Sequence, residues 1–313
     1  MGPCTLRHRN RAVTGALTVI VTLLGAACSK PSGAPKPGNG VVAAVGAENE
    51  YADVIGQLGG RYVEVTAVIS NPNTDPHTFE ASPSVAEAIG AAELVVQNGL
   101  GYDTFMNTIE AASPSPIRKI LDVQSLLGLP NSTPNPHLWY RPSTMPVVAK
   151  AITNALSLLE PEHAGYFRAN LAKFDRSLAP WTQALAHFKA SFPGTPVATS
   201  EPIGDYMLEA AGTKNETPFA LQADVMNGVD PAPQDITLQN GLFTQHKVKV
   251  FLYNEQVTDS LTASFVTLAA QNRIPVVALY ETMPAGFDFQ SWMLAEVQAL
   301  QKAVADKIST TRL

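Results

Sequence analysis

Short runs rich in valine and isoleucine alternate with longer helix-like stretches along most of this chain, and that alternation is what most limits its fold. The runs are VVAAVGA from Val41, VEVTAVIS from Val63, LVVQNG from Leu94 and IRKILDV from Ile117, then TPVATSE from Thr195, KVFLYNE from Lys249 and PVVALYE from Pro275. Between them lie SPSVAEAIGAA and the helical segments 203–211, 235–247 and 258–271. Nearly continuous apolar runs separated by helices predict α/β architecture, with mainly parallel sheets covered by crossover helices. The chain beyond Val41 holds about 270 residues, more than one typical core encloses, so two lobes are expected. No sequence repeat relates the two halves.

Between the halves, residues 161–192 place Tyr166, Phe167, Leu171, Phe174, Leu178 and Trp181 at helical spacing over an unusual length for a crossover helix. This segment is expected to be one long connecting helix. Pro180 lies inside it and lacks an N–H, so a kink or break is expected near Leu178. Residues 289–308 predict a final amphipathic helix with Trp292, Met293, Val297, Leu300 and Val304 as its buried stripe. The expected lobes are residues 41–160 and 193–313.

The beginning of the chain carries an export signal. Arg7, Arg9 and Arg11 precede an apolar stretch, residues 13–24, too short to span a bilayer, and small residues lead to Cys28. GAAC resembles a bacterial lipobox, with Gly25 where leucine is usual. Residues 1–27 are therefore expected to be removed and Cys28 lipidated, anchoring the chain at the outer face of the cytoplasmic membrane. Residues 28–40 have the composition of a flexible tether. Cleavage also removes Cys4, which excludes an internal disulfide and thiolate metal ligands. It leaves 18 basic against 27 acidic residues, a balance that argues against nucleic acid as a partner.

Four residues stand where a strand-like run ends and a turn begins, and each offers a metal-binding atom: His77, His137, Glu201 and Glu281. The whole chain has only 6 histidines, yet two occupy near-matching turns, DPHTF and NPHLW. In open α/β sheets ligands bind beyond the carboxyl ends of strands, where loops converge. Two candidates come from each half, so a metal site between the halves is expected.

These features resemble the metal-specific solute-binding lipoproteins of bacterial ABC importers for zinc and manganese. The resemblance spans nearly the whole exported chain, through GAENEYADVIGQLGG, NPNTDPHTFEASPS, AAELVVQNGLGYD, NPHLW, PEHAGYFRANLAKF and SEPIGDYMLEAAG. It implies two α/β lobes joined by one long helix, a cleft that opens less than in hinged receptors, and an ABC permease with its ATPase as partners. It also implies that His77 and His137 bind the metal with Glu201 as third ligand. The fourth ligand is usually aspartate, so Glu281 departs from the pattern, and Asp259 and Glu255 are the alternatives. A monomer is expected.

Each residue has a blander reading. Asp75-Pro76 and Asn135-Pro136 form turns in their own right, which the histidines could merely bond. Glu201 could favour a helix N-terminus, and Glu281 could orient a histidine from outside the metal shell. His163, His187 and His246 are expected at the surface, and Asp75, Glu80, Asn98 and Asp103 as loop-fixing groups. Two imidazoles and two carboxylates suit Zn(II), or Mn(II) and Fe(II) when carboxylates bind through both oxygens. The stretch ETMPAGFDFQSW resembles the zinc branch, which sets the expectation of zinc. Four protein ligands leave no open position for an activated water, so capture and release rather than catalysis is expected. Affinity should fall as pH drops through the histidine range. A secreted metallohydrolase, with His77, His137 and Glu201 as ligands and Glu281 as base, finds no HExxH in support, a serine nucleophile finds no GxSxG, and a lipoprotein adhesin would need no convergent ligands.

Overall fold

Strand β1 (Val42–Glu48) is buried along almost its whole length, as a central parallel strand must be. It runs into α1 (Asn49–Gly59), whose Tyr51, Val54, Ile55 and Leu58 form one buried stripe. Gly46 permits the close return: a Cβ there would lie 2.4 Å from the Ala52 nitrogen. Gly60, at φ 53°, ends the helix in a conformation that favours glycine. There follow β2 (Val63–Ile69), α2 (Pro83–Ala91), β3 (Leu94–Gln97), α3 (Thr104–Ala112), β4 (Lys119–Asp122) and the single turn α4 (Val123–Leu126). All pairings are parallel, in the order β2-β1-β3-β4.

This computed structural model describes residues 1–2, 40–71, 79–256 and 259–313. The export signal, Cys28 and His77 with its turn lie outside the described residues. Among the described residues no helix is long and apolar enough to cross a membrane.

A 3-10 turn at Leu138–Tyr140 leads into α5 (Thr144–Leu159). The connector is not one rod. It consists of α6 (Ala164–Ser177) and α7 (Ala179–Ser191), interrupted at Leu178. Pro180 occupies the first turn of α7, where a missing N–H loses no helical bond. Phe167, Phe174, Leu178 and Trp181 are buried, whereas Tyr166 is exposed and packs its edge against Tyr62.

The second sheet contains β5 (Pro196–Thr199), α8 (Asp205–Ala210), β6 (Lys214–Asn215), α9 (Phe219–Met226), α10 (Pro233–Thr244), β7 (Val250–Asn254), α11 (Ser260–Gln271) and β8 (Val276–Leu279). Its order is β6-β5-β7-β8, again all parallel. The final helix α12 (Phe289–Asp306) starts at a capping box between Asp288 and Ser291 and buries Trp292, Met293, Val297 and Leu300; Val304 is half-buried. Trp181 of α7 meets Phe289 of α12 edge to face, 5.8 Å between ring centres. Each sheet thus changes strand direction of progression between its second and third positions, β1/β3 and β5/β7. Those are the points where a crevice opens beyond the strand ends.

Candidate metal-binding site

His137, Glu201 and Glu281 are all fully buried, which for ionisable side chains demands partners. His137 follows Asn135-Pro136 in the loop between α4 and α5. The Asn135 side-chain oxygen accepts the His137 backbone N–H at 3.0 Å and lies 2.8 Å from its Nδ1. An amide oxygen can only accept, so Nδ1 carries the proton and Nε2 presents its lone pair. Nε2 faces Oε1 of Glu281 at 3.6 Å. Two ligands of one tetrahedral zinc stand about 3.3 Å apart, given metal bonds of about 2.0 to 2.1 Å. The pair therefore suits a shared divalent cation with a small adjustment.

The carboxylates arrive from two strands of the second sheet that flank a third. Glu201 lies two residues beyond β5, and Glu281 two residues beyond β8. Between those strands runs β7, whose last residue, Asn254, donates its Nδ2 to Oε1 of Glu281 at 2.6 Å and to Oε2 of Glu201 at 3.2 Å. Tyr102, in the loop after β3, donates its hydroxyl to Oε2 of Glu281 at 2.9 Å. Burial, and next the charge of Glu281, push the Tyr102 hydroxyl up, so it stays a donor. The Gln256 side-chain oxygen accepts the backbone N–H groups of Glu281 and Thr282, the latter at 2.8 Å. Glu201 is steadied through its carbonyl, which accepts from Gln222 at 3.2 Å.

Around these groups lies a second layer. Asn98 donates to the Pro136 carbonyl at 2.8 Å, beside His137, and accepts from Tyr51 at 2.7 Å. Asp103 accepts the Asn98 and Gly99 N–H groups, although burial still raises its carboxyl to about 6. Glu48 and Glu50 are buried carboxyls, both pushed well above the usual range by desolvation; the charge of Asp103 adds to this at Glu48, and that of Glu281 at Glu50.

Of the four predicted residues, His137 faces Glu281 directly and Glu201 is joined to Glu281 through Asn254, while His77 lies outside the described residues. Among the described residues no three of His, Cys, Asp or Glu approach closely enough to hold a cation by themselves. Of the alternatives, Asp259 is exposed and caps α11 by accepting the Thr262 N–H at 2.7 Å. Glu255 is half-buried, its backbone N–H bonded to Leu279 at 3.0 Å. His187 and His246 are exposed, and His163 stacks on Tyr62 at 3.8 Å. Sequence reasoning missed Tyr102 and Asn254. The signal for Asn254 was present: it is the polar residue closing an otherwise apolar strand at its carboxyl end.

Two parallel sheets with a buried imidazole and buried carboxylates beyond their strand ends are the frame of a metal-binding solute receptor. The chain belongs to the family described as ZnuA, "Zinc-uptake complex component A periplasmic", whose model matches residues 45–303. Its members serve as solute-binding components of ABC importers. The metal ABC transporter substrate-binding lipoprotein FimA of Streptococcus parasanguinis is 23% identical over 287 residues, covering 86% of this chain and 89% of FimA. The manganese ABC transporter substrate-binding lipoprotein PsaA of Streptococcus pneumoniae is 23% identical over 288 residues, with 86% and 89% covered. In fold, the periplasmic zinc-binding protein TroA from Treponema pallidum superposes with a TM-score of 0.71 at 17% identity, covering 86% of this chain and all (100%) of TroA.

Proposed function

We propose that this chain captures zinc through His77, His137, Glu201 and Glu281 and delivers it to an ABC permease powered by its ATPase. The observation that carries this reading is the facing pair His137 and Glu281, buried together with a separation suited to one cation. A buried carboxylate facing the lone pair of a neutral imidazole is stabilised when a cation joins them. The imidazole Nε2 and carboxylate oxygens match the donor set of zinc. Cys28, lipidated, holds the receptor as a monomer at the outer face of the cytoplasmic membrane.

Manganese is the second reading. Two carboxylates suit it when they bind through both oxygens, and PsaA, similar over most of the chain, is named for manganese. Calorimetric titration of the metal-stripped protein with Zn(II) and, separately, Mn(II) decides between them. One tight equivalent of zinc, abolished by His137→Ala, supports the receptor reading. Equally tight manganese moves the assignment to a manganese or broader importer, and no stoichiometric binding of either metal refutes the site.

A further inference from the structure

We propose that Asn254 is a positioning residue that selects zinc over manganese by holding both site carboxylates in one-oxygen binding geometry. This inference rests on the proposed metal site and deepens it. Strand order carries the first step: β7 lies between β5 and β8, the strands that deliver Glu201 and Glu281, so its terminal side chain stands within reach of both. Asn254 does so with a single amide nitrogen, which has two hydrogens and donates one to each carboxylate.

An asparagine at a strand end often serves only its own backbone turn, and the other end of this side chain performs that task. Its Oδ1 accepts the Gln256 N–H at 3.0 Å. Among the described residues, the Nδ2 end donates to the two carboxylates and to no backbone carbonyl. Glu281 is thereby held at both oxygens, Oε1 by Asn254 and Oε2 by Tyr102, from opposite halves of the molecule. Oε1, the oxygen bonded by Asn254, is the one that faces His137 Nε2, at 3.6 Å. For Glu281 to chelate through both oxygens it must rotate, and rotation breaks a buried hydrogen bond to a charged group. At Glu201 the same amide pins Oε2 and resists the same rotation. One oxygen from each carboxylate with two imidazoles gives four ligands, which suits zinc; the larger coordination number of manganese needs the rotation that Asn254 opposes.

The test uses the full chain purified in detergent, with Asn254→Ala and Asn254→Asp. Both remove the amide donor, and the aspartate keeps the size and the Gln256 N–H acceptor, so it serves if the alanine variant does not fold. Zinc and manganese affinities are measured by chelator competition, and zinc coordination number by X-ray absorption. The expected result is a zinc affinity about 10- to 100-fold lower, a zinc-to-manganese ratio narrowed at least about tenfold, and added oxygen ligands on zinc. Folded variants that keep the wild-type ratio within about twofold and four-coordinate zinc overturn the proposal. A purely structural role would lower thermal stability without moving the ratio. Failure of the wild-type protein to bind either metal would instead remove the site reading itself.

Discussion

The hydroxyl of Tyr102 and the carboxylate of Glu281 form a buried hydrogen bond of 2.9 Å between residues 179 positions apart in sequence. Tyr102 follows a strand of the first sheet and Glu281 a strand of the second, so this bond ties a candidate ligand to the opposite half of the molecule. Charged acceptors make such bonds stronger than neutral ones.

Tyr102→Phe should therefore loosen Glu281 while keeping the ring that packs edge to face against Trp139 at 5.2 Å. A hydrogen bond to a charged group contributes about 1.5 to 3 kcal/mol, so zinc affinity should fall by about 10- to 100-fold. Calorimetry checks this, and an unchanged affinity would show that Asn254 alone suffices to hold the carboxylate.

A second set of bonds joins α1 to the loop after β8 and the start of α12. Asn49 exchanges two hydrogen bonds with the Met283 backbone at 2.8 and 2.9 Å, Asp53 accepts the Phe289 N–H at 2.9 Å, and Gln57 and Gln290 pair reciprocally at 2.9 and 2.8 Å. If cargo leaves by separation of the halves, this row limits the rate. Asn49→Ala combined with Asp53→Ala should speed metal release into excess chelator about tenfold or more, at about 1 kcal/mol per lost bond. Stopped-flow release at the wild-type rate would place the exit elsewhere.

Glu296 supplies a pH dependence. It is fully buried under the site, accepting from Trp292 at 2.9 Å and Tyr140 at 3.2 Å, and desolvation raises its carboxyl from 4.5 to about 8. The folded protein then keeps a proton that the unfolded chain loses, so this stabilising contribution is complete below about pH 4.5 and is lost as pH rises to about 8. The slope is about 1.4 kcal/mol per pH unit within that window. Thermal melts of Glu296→Gln between pH 5 and 8 should show a shallower decline than wild type; parallel curves would mean that Glu296 ionises normally.

Gly46 tests the packing beneath the site. An added Cβ would meet the Ala52 backbone nitrogen at 2.4 Å and its Cα at 2.7 Å, main-chain atoms that cannot swing aside. Gly46→Ala should cost about 1 to 3 kcal/mol of stability, the usual range for overpacking. A melting temperature equal to wild type would show that β1 and α1 separate more readily than their contact suggests.

Much of this architecture was legible in residue order because its cause is local. Apolar runs buried on both faces announced parallel strands, the spacing of Trp292, Met293, Val297 and Leu300 announced α12, and Pro180 announced the interruption at Leu178. The two-residue strand β6 and the helix α9 were not read, because Lys214–Asn215 and Phe219–Met226 carry too little periodicity to stand out.

At the site, sequence determined which residues carry suitable chemistry: His137 after a proline turn, and Glu201 and Glu281 after strands, at the ends where parallel sheets present their loops. Tertiary structure alone decided which of them meet. Glu281 rather than Asp259 faces His137 because β8 lies at the edge of its sheet beside β7, while Asp259 is occupied in capping α11. Asn254 and Tyr102 gained their roles in the same way. A hydrogen bond between residues 27 or 179 positions apart depends on strand order and on how the halves pack, quantities set by the burial of the whole chain rather than by any local segment.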